Sequence, residues 1–336
     1  MLSLTAKGLY CPYGDFYIDP SGKVDRAVIT HAHSDHARRG SLLYYTTKSG
    51  EALLRTRLGA GIRTLSFQYG EAFRIGDVTV SFHPAGHILG SAQIRLERSG
   101  EVWVASGDYK RDWDPTCEPF EVVPCDVFIT EATFGTPSFR WRKEADLGQE
   151  IFDWWQINAG RGQNSVLIAY SLGKTQRVLG VLYPHTEESI ICHPAARELI
   201  QCYRNEGVDL AATACLSEMT LEKPVKGRLF IGPQNILDEK YQAIIGENPK
   251  TAFASGWMAQ RQQKYDRGFV MSDHADWDDL VMTIEQTGAR RVYVQHRGAG
   301  ALVKHLRHLG LDAHPDTTLA TPPHQAMQLA FGGLSL

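Results

Sequence analysis

The sequence predicts an α/β protein of two closely joined parts, on three observations. Residues 1 to about 130 carry short β-rich segments that end in turns, and from about residue 140 strand-like and helix-like segments alternate. The length of 336 residues exceeds the size at which one hydrophobic core ordinarily stops growing.

In order, the first part reads as the strands GDFYIDP, RAVITHAHSDH, SLLYYTT, VTVSFHPAGH, AQIRLER, EVWVASGD and DVFITEATFG, with one helical pattern at SGEALLRTRLG. The second reads SVLIAY then KTQRVLGVLY, SIICH then AARELIQCYRNEG, and RLFIG then DEKYQAIIG. Such alternation is the pattern of βαβ units and a parallel sheet. After FVMSDHADW the chain turns helical through DDLVMTIEQTG, gives a strand at RRVYVQHRG and ends in a helix around ALVKHLRHLG. The breaks in rhythm near 136–145 and 255–270 make the middle an expected insertion into the first domain.

Composition bounds the function classes. Forty-three per cent apolar and 22 per cent charged residues are ordinary for a globular chain. No run approaches the ~18 apolar residues of a membrane span. The start, MLSLTAKGLYCPYGD, lacks the basic and apolar regions of a secretory signal, so a cytoplasmic protein without membrane association is expected. The six cysteines are scattered without a CxxC pair, against both a zinc ribbon and a disulfide framework. A net charge of −3 supplies no global positive field, so a polyanion would have to be held by a local basic groove and by metal.

The strongest chemical signal is THAHSDH, which places His31, His33, Asp35 and His36 directly after the apolar strand AVIT. A turn after a strand aims neighbouring side chains at one small volume, and three imidazoles with a carboxylate there make a metal site. The alternative, a surface histidine cluster, rarely takes this spacing by chance.

HxHxDH, the later AGH of HPAGHILGSAQ and the GDY of ASGDYKRD together resemble the ligand series of the metallo-β-lactamase superfamily. The resemblance implies an α/β sandwich of αββα layers and two divalent ions, Zn²⁺ or Mn²⁺. It assigns His31, His33 and His87 to one ion and Asp35 and His36 to the other, with Asp108 bridging. His83 competes with His87, which the AGH context and the following Leu-Gly-Ser favour. Glu131 in FITEATFG, His274 in SDHAD and His296 in VYVQHRG, taken in order, narrow the resemblance to the β-CASP nucleases. It makes His296 the last ligand of the second ion and His274, oriented by Glu131, the proton donor to the leaving O3′; a metal-bound His274 is the other possibility. Asp35, Asp108, His274 and Glu131 form the implied catalytic set.

GLYCPYGDFYIDP, GDYKRDWDPTCEPFE, FITEATFG and FASGWM with RGFVMSDHADWDDL resemble the bacterial ligase-associated DNA exonucleases over essentially the whole chain. That likeness implies a metallo-β-lactamase domain at 1–140 and 265–336, an inserted small β-CASP domain at 141–264, and a DNA-repair exonuclease acting 5′-to-3′ on single-stranded DNA. An ATP-dependent DNA ligase and a helicase are the implied partners.

Phosphate and strand binding have weaker loci. In AYSLGKTQ, Ser171, Gly173 and Lys174 stand at a strand-to-helix turn, where free backbone N–H groups favour an anion, although any such connection can carry a Gly and a Lys. SFRWRK interleaves Phe139 and Trp141 with Arg140, Arg142 and Lys143, which suits stacking and phosphate contact but equally suits a solvated basic helix start. Trp257, Arg261, Lys264 and Arg267 are candidates to line the same groove. Two other functions stay open: RNA processing by the same chemistry, since the 2′-OH must be sensed away from the metals, and a non-catalytic partner in a repair assembly. The inserted region, His274 and Glu131 disfavour lactam or thioester hydrolysis.

Overall fold

The computed structural model describes residues 1–142, 146–219, 225–260, 264–295 and 299–320. The first sheet runs in chain order: β1 (Ser3–Thr5), β2 (Gly8–Cys11), β3 (Phe16–Ile18), β4 (Arg26–Val28), β5 (Leu43–Thr47) and β6 (Thr64–Phe67). Helix α1 (Glu51–Leu58) joins its last two strands. The second sheet begins with β7 (Phe73–Ile75), β8 (Val78–Pro84), β9 (Ala92–Arg98), β10 (Glu101–Ala105) and β11 (Val127–Thr130).

The chain then leaves for a third sheet, β12 (Ser165–Ile168), β13 (Ile190–Cys192), β14 (Thr213–Cys215), β15 (Leu229–Gly232), β16 (Lys250–Ala254) and β17 (Arg267–Phe269), in the order β14-β13-β15-β12-β16-β17. Every pairing in it is parallel. Around it lie α2 (Leu147–Gly160), α3 (Lys174–Leu182), α4 (Arg197–Asn205) and α5 (Glu239–Ile245). After α6 (Trp277–Thr287) the chain returns to the second sheet through β18 (Arg291–Val294), α7 (Ala299–His308) and β19 (Asp312–Pro315), and β18 pairs parallel to β11.

Alternation along the strands explains the layers. Leu9, Phe16 and Val28 of the first sheet share one core with Val80, Phe82, Ile94 and Ile129 of the second, so the two sheets pack face to face. Leu54 and Leu58 of α1 cover the outer side of the first sheet beside Ala27 and Tyr44. Trp277, Leu280 and Ile284 of α6, with Leu302 and Leu306 of α7, cover the outer side of the second against Val104, Phe128 and Val292. The order is therefore helix, sheet, sheet, helix.

In the third sheet Val166 and Ile168 face α5, whereas Leu167 and Ala169 face α2, α3 and α4; a strand covered on both sides reads as one continuous apolar run. Ala32, Leu53, Ile88 and Leu89 belong to this latter core, so the third sheet's helices pack directly on the segments beside His31, His33 and His87. β17 pairs with β16 and lies beyond the boundary expected at 264. Its three residues were too few to show a periodicity. Among the described residues no helix is long and apolar enough to cross a membrane.

Candidate metal centre

The loop after β4 turns sharply at His33, whose carbonyl accepts from the amides of His36 and Ala37 at 3.2 and 2.8 Å. That turn gathers the loop's histidines at the ends of both central sheets. His31 Nε2 lies 3.1 Å from His33 Nδ1, which lies 3.0 Å from His87 Nε2. Asp108 Oδ2 stands 3.7 Å from His31 Nε2 and 3.8 Å from His87 Nε2.

The remaining nitrogens of these rings are already committed. His33 Nε2 donates to the Leu172 carbonyl at 3.2 Å, His87 Nδ1 to the Asp273 carbonyl at 2.6 Å, and His31 Nδ1 to Thr30 Oγ1 at 3.0 Å. These partners assign the tautomers and leave three nitrogen lone pairs converging on one point. Lone pairs held that close repel one another unless a cation lies between them. Tetrahedral bonds of 2.0–2.1 Å give ligand separations of about 3.3 Å, within the spread found. Burial pushes the pKa of His31 and His87 well below the ordinary value and lowers that of His33, which favours the neutral form a metal takes. The donor set fits a divalent ion.

A second set adjoins it. His36 Nε2 is 3.4 Å from the same Asp108 oxygen and 3.8 Å from Asp35 Oδ2. Among the described residues, the buried Asp108 Oδ1 has no hydrogen-bond partner. His36 Nδ1 donates to Asp19 Oδ2 at 2.7 Å; burial opposes a proton on this ring, but Asp108 and Asp19 outweigh it and raise its pKa well above the ordinary value. Asp19 was absent from the sequence-derived candidates. It sits in GDFYIDP at a φ of 44°, and the signal was the need of a metal-binding histidine for an acceptor behind it. His296, expected as the last ligand, lies outside the described residues, as do Lys143 and Arg261.

Above the cluster, His274 Nδ1 lies 2.9 Å from both oxygens of the buried Glu131 and 4.0 Å from Asp108 Oδ2. Burial works against a charged ring, yet Glu131 and Asp108 prevail, and its pKa is pushed up to about 9. Nδ1 is taken, so Nε2 is the nitrogen left for another partner. His83, the competitor, bonds Ser81 and Glu121 outside the cluster.

The cleft around these groups, about 640 Å³, is lined by His33, Asp35, His87, Asp108 and His274, with Phe134, Tyr170 and Trp257 as aromatic walls. The expected phosphate and strand residues divide. Trp257 and Lys174 line the cleft; Trp141 and Arg142 line a neighbouring cavity of about 970 Å³; Ser171 and Arg140 line neither. Arg140 instead holds Asp278 at 2.7 Å, and Trp141 packs on Phe134. Lys264 is exposed, and Arg267 lies 3.7 Å from Glu150.

Gly173, at φ 85°, has no room for a side chain: a Cβ would meet Ile88 at 2.6 Å. Its amide donates to Gln176 Oε1 and is not free for an anion.

Lys174 is held by partners within the chain. Its ammonium is buried, lies 2.7 Å from Asp273 Oδ1 and donates to the Met271 carbonyl. Asp273 also meets Arg177 at 3.3 Å, Arg177 meets Asp114 at 3.3 Å, and Asp114 holds Lys110 at 2.6 Å. The lysine read as a phosphate grip is one end of a buried ion chain.

No family model matches the chain. A protein named probable DNA ligase from Opitutus terrae is 30% identical over 91% of this chain and 30% of its own length. A ribonuclease from Thermus thermophilus is 26% identical over 52% of the chain and 46% of its own length. An endoribonuclease from Aspergillus fumigatus is 30% identical over 63% and 22%. The chain thus spans less than half the length of these curated relatives. A crystal structure of a protein of unknown function from Enterococcus faecalis shares the fold, with a TM-score of 0.55 at 13% identity over 80% of this chain and 74% of that one. By sequence the chain is related to proteins named as ribonucleases and to one named as a DNA ligase.

Proposed function

We propose that the chain is a two-metal phosphodiesterase of the metallo-β-lactamase superfamily, β-CASP branch, acting as a DNA exonuclease in repair. The observation that carries the reading is the convergence of three imidazole lone pairs and Asp108 beneath the His274–Glu131 pair. His31, His33, His87 and Asp108 would hold one ion, and Asp108, Asp35, His36 and His296 the other. When bound, two such ions, Zn²⁺ or Mn²⁺, activate water at neutral pH and neutralise charge on a phosphate.

The chain's own residues do the rest. Asp108 sets the spacing of the two ligand sets. Glu131 fixes His274 through Nδ1, so the ring holds a proton at Nε2, within the cleft, for the departing O3′. Tyr170 and Trp257, both exposed, offer faces on which bases of a single strand stack, with the buried Phe134 behind Trp257. In this reading residues 1–140 and 265–336 form the metal-binding domain and 141–264 the inserted one, whose sheet β17 joins as its last strand.

The Opitutus relative's name, over most of the chain, supports a DNA-ligase context; a cytoplasmic location and a ligase and a helicase as partners belong to the same proposal. The fungal and Thermus relatives' names favour the RNA reading equally, so one experiment is decisive. The same sequence is offered as 5′-labelled single-stranded DNA, duplex DNA and RNA to protein reconstituted with Mn²⁺ or Zn²⁺. Release of mononucleotides from the 5′ end of single-stranded DNA, with RNA cut at least tenfold more slowly, is the expected result; preferential RNA cleavage establishes the alternative.

A further inference from the structure

With Lys174 paired, one other cation among the described residues of the proposed nuclease cleft can meet a phosphate. Arg57, in the last turn of α1, lines the cleft beside His33, Ser34 and Asp35. Its Nη1 donates to the carbonyl of Ala32, between the first two histidines of the metal loop. No other side-chain hydrogen bond or ion pair engages the guanidinium among the described residues. One carbonyl requires one N–H; arginine carries five donors in a rigid fork. Of the two Lys or Arg side chains described in the cleft wall, Arg57 is the one without a carboxylate partner within ion-pair distance.

We propose that Arg57 binds a phosphate of the substrate strand adjacent to the one being cut, using Ala32 as the anchor for one edge of the fork and presenting the other edge to the phosphate oxygens. This contact rests on the phosphodiesterase reading. It places the scissile phosphate at Asp108 and the next one along the wall of the metal loop. A guanidinium held at one edge loses little further freedom on binding, and its planar fork matches two phosphate oxygens at once. A lysine cannot reproduce both contacts.

The test uses the full chain with metals bound and the variants Arg57→Gln and Arg57→Lys. The probe is a single-stranded oligodeoxynucleotide in which linkages are replaced one at a time by neutral methylphosphonate. Arg57→Gln is expected to keep the wild-type metal content and kcat but to raise KM about ten- to a hundredfold. The salt dependence of binding should shallow by about 0.7 in log–log slope, the increment of one phosphate on a single strand. Methylphosphonate at one linkage should penalise the wild type and no longer penalise Arg57→Gln. Arg57→Lys should recover the salt slope but only part of KM. An unchanged salt slope with full methylphosphonate sensitivity in Arg57→Gln would overturn the contact, as would loss of metal in parallel with activity, which would make Arg57 only the brace of Ala32. Binding, read by fluorescence anisotropy, separates the two claims: if the wild type cuts no oligonucleotide the phosphodiesterase reading falls, while the slope still decides the contact.

Discussion

Two charged regions meet at Asp273, and they handle charge in opposite ways. On one side its carbonyl accepts from His87, whose other ring nitrogen joins those of His31 and His33 and the Asp108 carboxylate in a cluster of acceptors turned toward one another. On the other its carboxylate joins the chain Lys110–Asp114–Arg177–Asp273–Lys174, in which signs alternate and neighbours lie 2.6 to 3.3 Å apart. The first gathers acceptors alone, whereas the second sets each cation against a carboxylate. Both are rich in ionisable residues, so density of charge does not mark a site; unmatched charge does.

The sharpest way to break the comparison is to disturb the residue both ligand sets share. Asp108→Asn keeps the shape and removes the charge, and cleavage should fall to background with loss of metal by elemental analysis; full activity would sink the two-metal proposal. His274→Ala should retain both metals and strand binding yet lose ~10²–10⁴ in rate, with partial rescue by a substrate bearing a better leaving group. A missing ion in that variant would make His274 a ligand instead.

On the satisfied side the expected loss is in stability. Arg177→Met leaves Asp114 and Asp273 short of a partner, and urea unfolding should show a loss of about 3–5 kcal/mol. Its metal content per folded molecule should match the wild type. Asp19→Asn tolerates the positive φ and withdraws the charge behind His36, so chelator competition should show metal affinity weaker by about 10–100-fold. The smallest effect is on pH. His274 is raised from 6.5 to about 9, so in metal-free protein its pairing contributes stability fully below pH 6.5, and that contribution is lost as pH rises through about 9. Glu131→Gln should flatten this slope in thermal melts; an unchanged slope would mean that His274 is not held by Glu131.

What could be read from sequence follows the same division. The cluster at THAHSDH was legible because its candidate ligand atoms lie within six residues of one loop, and the alternating second half was legible because each strand and helix carries its own period. Helix α2 was not read from EIFDWWQINAG, whose large apolar residues bury against more than one neighbouring element and blur the period. The pairing of Lys174 was not legible because Asp273 approaches it only after the chain has passed through the third sheet. Asp19 and Arg57 escaped notice because each acts through a histidine or a backbone carbonyl that no linear motif displays.

The central claim is that the converging lone pairs are a metal site that cuts phosphodiester bonds. Its most direct test is stoichiometric titration of chelator-stripped protein with Mn²⁺ or Zn²⁺, following bound metal and the release of labelled nucleotide together. Two equivalents should bind, and cleavage should appear as the second fills. Cleavage by the stripped protein, or two bound ions with no cleavage of DNA or RNA under either metal, would contradict it.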